Sequence, residues 1–241
     1  MLKFLRSHEH DVYQFRITLR DFFPPIWRRI QVPRTYNFWD LHMAIQSVMG
    51  WSDSHFHQFT LMTPTSKRIR SKVIIIPKLK NQDDIELNKE NILSSKEAVL
   101  SEFFLCPKMS PKVVYEYDFL SGWELEVRFE KFVAAESGKK YPCCKSGGLA
   151  SPPEQISGPE AYKEFVKYYT KYVKEINQEK EEKCKCIQEC MHSIAPRLSV
   201  VGFDPDVFNP ESVDFYDPES FWEYFVKKIV TVQKNWMFAS Y

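Results

Sequence analysis

Glycine is scarce in this chain: 7 residues in 241. So few argue against glycine-rich phosphate loops and glycine linkers, since both need repeated positions free of a Cβ. An excess of either charge is missing too. Lys and Arg number 33 and Asp and Glu 32, for a formal net charge of +1. That balance gives no general attraction to nucleic acid or to an anionic membrane and leaves only local patches to consider. No run reaches the roughly 18 apolar residues of a spanning helix. The longest purely aliphatic run, Val73-Ile74-Ile75-Ile76, has strand length. The start, Met1-Leu2-Lys3-Phe4-Leu5-Arg6, turns polar at Ser7-His8-Glu9 and lacks the apolar stretch and cleavage site of a secretory signal. We therefore expect an intracellular protein, cytoplasmic or nuclear, with no membrane partner. In that setting the 6 cysteines are expected to be reduced thiols or metal ligands rather than a disulfide framework.

What the chain has in quantity is apolar and aromatic surface. Hydrophobic residues make up 44% and aromatics 15%, enough to build a full core without metal or disulfides. Alternation marks the strands. Tyr13, Phe15, Ile17 and Leu19 share one face of residues 12–19, and a second strand over 26–32 is stopped by Pro33. Phe38, Leu41, Ile45, Val48 and Met49 have helical spacing over 38–49, with Thr35 or Asn37 as cap and Gly50 as stop. Strands follow at 55–62 and 72–76, then an irregular charged excursion over 77–98 and a short helix near 96–104. The clearest hairpin joins 112–119 to 123–132 across Leu120-Ser121-Gly122. Residues 136–158 read as loop and hold four of the glycines. Pro159 opens an amphipathic helix, with a charged continuation over 178–185. Residues 203–216 read as a loop or single helical turn, and a last helix runs from Pro218 to about Gln233. Strands followed by helices predict an α+β fold: a mainly antiparallel sheet packed with helices, one domain with a C-terminal helical extension.

Several segments, in order, resemble one family. They are Tyr13-Gln14-Phe15-Arg16-Ile17-Thr18-Leu19 and Pro24-Pro25-Ile26-Trp27-Arg28-Arg29-Ile30-Gln31-Val32-Pro33. Next come Leu41-His42, Ile45-Gln46, Met49-Gly50-Trp51, Asp53-Ser54-His55 and His57-Gln58-Phe59. Then follow Tyr115-Glu116-Tyr117-Asp118-Phe119 with Gly122-Trp123, Pro152-Pro153-Glu154 with Gly158, and Phe203-Asp204-Pro205. Together they look like the plasmid pRiA4b ORF-3-like family, which also carries an insertion-element passenger, resolvase-like label. The resemblance implies a domain over residues 11–216, with 217–241 as the added helix, and an association with mobile elements. It implies no established activity, and no serine-recombinase nucleophile pattern is visible. Two departures weaken metal or acid chemistry at the family's special positions. The hairpin tip, usually Asp-Phe-Gly-Asp-Gly-Trp, here reads Asp118-Phe119-Leu120-Ser121-Gly122-Trp123. The cysteines usual around Pro-Pro-Glu are missing, with Ser151 and Ile156 near their places.

Four constellations carry chemistry. His55 and His57 would share a face on a strand, and His42 lies on the helix that must pack there. With Asp118, these three imidazoles have the ligand number of catalytic zinc, while the plainer reading is a seam of hydrogen-bonded core histidines. Cys143 and Cys144, with Cys186 and Cys190 of the Cys184-x-Cys186-x-x-x-Cys190-x-His192 segment, would form a structural zinc site, against a default of free thiols. Trp27 beside Arg28 would stack on a base, but alternation puts Arg28 and Arg29 on opposite faces, and one of them should pair with an acid in the sheet. Trp123, at the hairpin tip, is the third binding candidate. The last helix, with Phe221, Trp222 and Phe225, is expected to dock on the domain, with partner binding as the alternative. The leading expectation is a non-catalytic binding or adaptor module for an unidentified protein or nucleic acid. The alternative is a metal-dependent hydrolase or nuclease acting through His42, His55, His57 and Asp118. No cofactor is required; zinc is the one the clusters admit.

Overall fold

The structure is a computed structural model and describes residues 11–63, 71–77, 91–176 and 203–239. In chain order the elements are β1 (Asp11–Leu19), β2 (Trp27–Pro33), α1 (Phe38–Met49), β3 (His57–Thr63), β4 (Ser71–Ile76), β5 (Ile92–Ser94), α2 (Leu100–Phe103), β6 (Lys112–Tyr117), β7 (Trp123–Ala134), β8 (Cys143–Gly148), α3 (Gly158–Ile176) and α4 (Pro218–Ala239). The strands form one eight-stranded sheet in the order β5-β4-β3-β6-β7-β1-β2-β8. Every pairing is antiparallel except β4 with β5. The α+β architecture is thus the one expected from the order of strands and helices.

The alternating residues do what their spacing asks. Tyr13, Phe15, Ile17 and Leu19 of β1, Val113, Tyr115 and Tyr117 of β6, and Trp123, Leu125, Val127 and Phe129 of β7 are all buried. Helix α1 covers this face with Phe38, Leu41, Ile45 and Val48. Its ends are defined chemically. The Asn37 side chain accepts from the Asp40 amide, and Asp40 accepts from the Asn37 amide, which closes a capping box. Gly50 ends the helix in a left-handed conformation at φ 68°. The chain then folds back, the Trp51 amide donating to the Gln46 carbonyl at 2.9 Å.

Two strands escaped the sequence reading. β5 is three residues inside the 77–98 excursion, too short for a period. β8, Cys143-Cys144-Lys145-Ser146-Gly147-Gly148, has neither alternation nor β-branched residues. It exists because β2 offers it an edge, from Trp27 opposite Gly148 to Gln31 opposite Cys143. Gly147 is needed there: a Cβ would stand 2.4 Å from the Phe208 ring. Gly158 has the second special geometry, φ 92°, with a Cβ position 2.3 Å from the Ser121 carbonyl oxygen. It lets the start of α3 press against the hairpin tip. The charged continuation over 178–185 lies outside the described residues. Within 203–216, a single helical turn forms at Pro210–Ser212, capped by Asn209.

Helix α4 docks on α1. Trp39 Nε1 donates to the Pro218 carbonyl at 2.8 Å, and the Trp39 ring meets Trp222 and Phe225 at centroid distances of 5.0 and 5.6 Å. Lys96 also pairs with Glu219. Of the two expectations for this segment, docking is the one seen. Among the described residues, no helix is long and apolar enough to cross a membrane.

Candidate functional site

The site begins with a helix repeat meeting a strand repeat. Trp39, His42 and Gln46 are spaced by three and four residues and share one face of α1. They sit over His57 of β3 and Tyr115 of β6, whose strands run side by side with His57 opposite Tyr117. The His42 and His57 rings stack with centroids 3.5 Å apart and planes 9° from parallel. Trp39 leans on both, at 5.1 and 5.9 Å.

A chain of hydrogen bonds sets the proton positions. Gln46 Nε2 donates to Tyr115 Oη at 2.8 Å. Tyr115 Oη lies 2.8 Å from His42 Nδ1, and His42 Nε2 lies 3.0 Å from Asp53 Oδ1. The Asp53 carboxylate can only accept, so a neutral His42 donates from Nε2, and its Nδ1 accepts the Tyr115 O–H. His42 therefore carries its proton on Nε2 and gives it to the Asp53 carboxylate. Burial supports this assignment. It pushes His42 down to about 3 and holds His57 well below the usual imidazole range, so both rings are neutral. Burial raises the Tyr115 phenol well above its ordinary value, which keeps it a donor. It also lifts Asp53 to about 6, opposed by His57 and Lys228.

Asp53 is held by its loop. It takes a left-handed conformation at φ 56°, and its amide donates to Gln46 Oε1 at 2.9 Å. Glu154 ties down the neighbouring residues: it accepts from the Ser52 amide at 3.0 Å, the Ser54 amide at 3.4 Å and the Tyr117 hydroxyl. Trp51 Nε1 donates to the Pro152 carbonyl at 2.9 Å. The Pro152-Pro153-Glu154 segment is therefore a clamp on the loop that carries Asp53.

Beside this group opens a cavity of about 700 Å³, lined chiefly by Trp39, Phe56, Phe119, Leu120, Tyr224 and Phe225, with Asp53, Ser54, His55, His57, Asp118 and Lys228 among its polar residues. Among the described residues, His57 Nε2 and Ser95 Oγ are the buried side-chain polar atoms without a hydrogen-bond partner. Only the first belongs to a residue lining the cavity.

The structure divides the expected histidine cluster. His42 and His57 come together, but His55 does not join them, because β3 begins at His57 and residues 54–56 are loop. His55 is 41% exposed at its side chain, with Nδ1 3.8 Å from Asp118 Oδ1. Asp118 stays with the hairpin, where Oδ1 accepts from the Leu120 and Ser121 amides at 3.3 and 3.4 Å. The acid that joins the histidines is Asp53. It stood within the matched Trp51-x-Asp53-Ser54-His55 run, but a loop residue has no period to show where it points.

His42, Asp53 and His57 place ligand-type atoms within 4.8 Å of one another. The orientation does not suit an ion, however. Lone pairs of parallel stacked rings run side by side rather than converge, and both nitrogens of His42 are engaged. The cysteine expectation also changes. Cys143 and Cys144 are consecutive on β8 and so project to opposite faces. Cys143 Sγ contacts Gln31 Oε1 and Cys144 Sγ the Ser146 carbonyl, both at 3.7 Å. Burial raises both thiols, Cys144 to about 11, which disfavours the thiolate a metal needs. Cys184, Cys186, Cys190 and His192 lie outside the described residues.

The expectation of Arg28 and Trp123 as binding residues is corrected, since both are buried. Arg28 Nε donates to the Val48 carbonyl at 3.1 Å, Nη1 to the Trp27 and Gly148 carbonyls at 2.8 and 3.1 Å, and Nη2 to Ser151 Oγ at 2.7 Å. Its guanidinium lies 3.5 Å from the Phe208 ring centroid. Trp123 packs on Trp51 at 5.9 Å. Trp27 already has Arg16 over its ring, at 4.3 Å. As alternation required, Arg28 and Arg29 part company, and Arg29 forms the expected acid pair, with Glu130 at 2.7 Å.

Fold and site together define an α+β domain with a neutral, stacked histidine pair at the edge of an aromatic cavity. The chain belongs to the plasmid pRiA4b ORF-3-like protein family, whose model matches residues 11–212. It is 29% identical over 156 residues to the uncharacterized protein y4hQ of Sinorhizobium fredii, covering 64% of this chain and 71% of that one. It also resembles the crystal structure of a protein of unknown function from Methanosarcina mazei Go1, with a TM-score of 0.66 and 32% identity over 86% of this chain and 99% of the other.

Proposed function

We propose that this protein is a non-catalytic binding module, in a family associated with mobile elements, and that its binding site is the cavity beside His57. One observation carries the reading. Phe56, Phe119, Leu120 and Tyr224, which line the cavity, are 73%, 55%, 100% and 64% exposed. Large apolar side chains gathered this way at a concave site favour an apolar ligand. Nile red, a neutral probe that fluoresces in apolar cavities, is expected to bind the wild-type protein saturably. Phe119→Glu and Leu120→Glu, both at exposed positions, should weaken that binding about tenfold or more and leave stability within about 0.5 kcal/mol. Unaltered binding by both variants would remove the cavity as the site.

The second reading, a metal-dependent hydrolase or nuclease, draws on the closeness of His42, Asp53 and His57. The stacked rings and the engaged nitrogens of His42 weigh against it. Calorimetric titration with zinc is expected to give matching weak isotherms for the wild type and His57→Ala. A stoichiometric site in the wild type that the variant lacks would restore the metal reading. A nucleic-acid partner has less support, since Arg28 is buried and Arg29 is paired with Glu130.

A further inference from the structure

Resting on the cavity as a binding site, we infer that its ligand is a small organic cation, an arylalkylammonium, with the ammonium beside Asp53 and the aryl group among Phe225 and the rim rings. Charge complementarity is the first argument. Asp53 and Asp118 bring two carboxylates to the lining and Lys228 one ammonium, with the His55 imidazole 3.8 Å from Asp118, so the fixed charges leave one carboxylate over. Asp53 engages His42 through Oδ1, which leaves Oδ2 for an incoming donor.

The walls are the second argument. Faces of Trp, Tyr and Phe rings attract cations through their quadrupoles, most strongly where water is excluded. Phe56, Phe119, Tyr224 and Phe225 supply four such rings, with Trp39 buried behind them. Size is the third argument. A cavity of about 700 Å³ lies in the range of small-molecule sites, far more than the stem of one lysine side chain fills. That favours a free amine with an aryl body over a protein lysine.

The test compares three probes by calorimetry and Nile red displacement on the full chain: tryptamine, its neutral isostere tryptophol, and Nα-acetyl-lysine methylamide. Tryptamine should displace Nile red and bind about tenfold tighter than tryptophol, the size expected when an ion-assisted hydrogen bond is lost. The lysine amide should bind more weakly than tryptamine. Asp53→Asn suits the site, since Asn tolerates the left-handed conformation and its carbonyl still accepts from His42. The variant should erase the preference for tryptamine over tryptophol. Equal binding of tryptamine and tryptophol, a preference that survives Asp53→Asn, or tighter binding of the lysine amide each overturns the inference. If Nile red binds while no ammonium preference appears, the cation is wrong and the cavity stands. If no probe binds, both fall. Should Asp53→Asn fail to fold, the wild-type ratio of tryptamine to tryptophol decides alone.

Discussion

Arg28→Leu is expected to lower folding stability by about 4 kcal/mol, read as a shift of the urea midpoint followed by tryptophan fluorescence. Arg28 is 1% exposed, and among the described residues it has no acidic partner within ion-pair distance. Three backbone carbonyls and one hydroxyl take its place. The Val48 carbonyl belongs to the last turn of α1, where no residue of the helix completes the final bonds and where a positive charge is favoured. Arg28 reaches it from β2, and so fastens the helix that carries His42 to the sheet. Leucine would leave those acceptors without donors in a dry place, at about 1–3 kcal/mol each. Relief of the buried charge offsets part of that cost; burial already lowers the Arg28 guanidinium to about 10. Arg28→Lys should recover less than half, because one ammonium lacks the planar fork that spans Val48, Gly148 and Ser151. A loss below about 1 kcal/mol for Arg28→Leu would mean that β8 and the 149–151 turn are held by other means.

Acid is expected to produce the second large effect. His42 and His57 are neutral in the folded state and bind protons near pH 6.5 when unfolded. Below that pH the unfolded chain takes up protons that the folded chain refuses. Their contribution to stability is therefore complete above about pH 6.5 and lost as pH falls, at about 1.4 kcal/mol per pH unit for each ring. Asp53 works in the opposite sense. Its folded value is raised from the ordinary 3.8 to about 6, so below about pH 6 it binds a proton more readily folded than unfolded and cancels one histidine. The net loss between pH 7.5 and pH 5 is about 3 kcal/mol. Glu130 and Asp217 are lowered below the ordinary carboxylate values, so they add losses only in stronger acid. Urea midpoints at pH 7.5, 6 and 5 measure the effect. His57→Phe, which keeps a stacked ring, should remove one histidine's share. A flat profile between pH 7.5 and 5 would show that the two rings are not buried as neutral bases.

Much of this molecule was legible residue by residue. Helix α1 was read to its ends because a cap at Thr35 or Asn37 and the Gly50 stop are local chemistry; only the structure chose Asn37 and joined it to Asp40. The 112–132 hairpin was read because alternation and a glycine turn are local too. Of the three histidines weighed as a hydrogen-bonded core seam, His42 is buried and bonded through both ring nitrogens, His57 is buried with Nε2 unpartnered, and His55 is exposed. Strand β8 was not legible: its pairing depends on an edge more than a hundred residues away in the chain, and its glycines are fitted to Phe208 and Trp27.

The site shows the same division. Periodicity put His42 and His57 on faces that had to meet, but it placed His55 beside His57 by extending the strand two residues too far. Asp53 carried no periodic signal, since its direction is set by a left-handed turn, by Gln46 and by the Glu154 clamp. Arg28 and Trp123 looked like surface readers of a partner, yet whether a strand face meets solvent depends on what packs over it. By itself the sequence determined the family, the α+β class and the strands and helix whose spacing writes the core, because those follow from bonds between near neighbours. Tertiary structure decided which acid joins the histidines, which arginine is buried and where the cavity opens, because those depend on contacts between segments far apart in the chain.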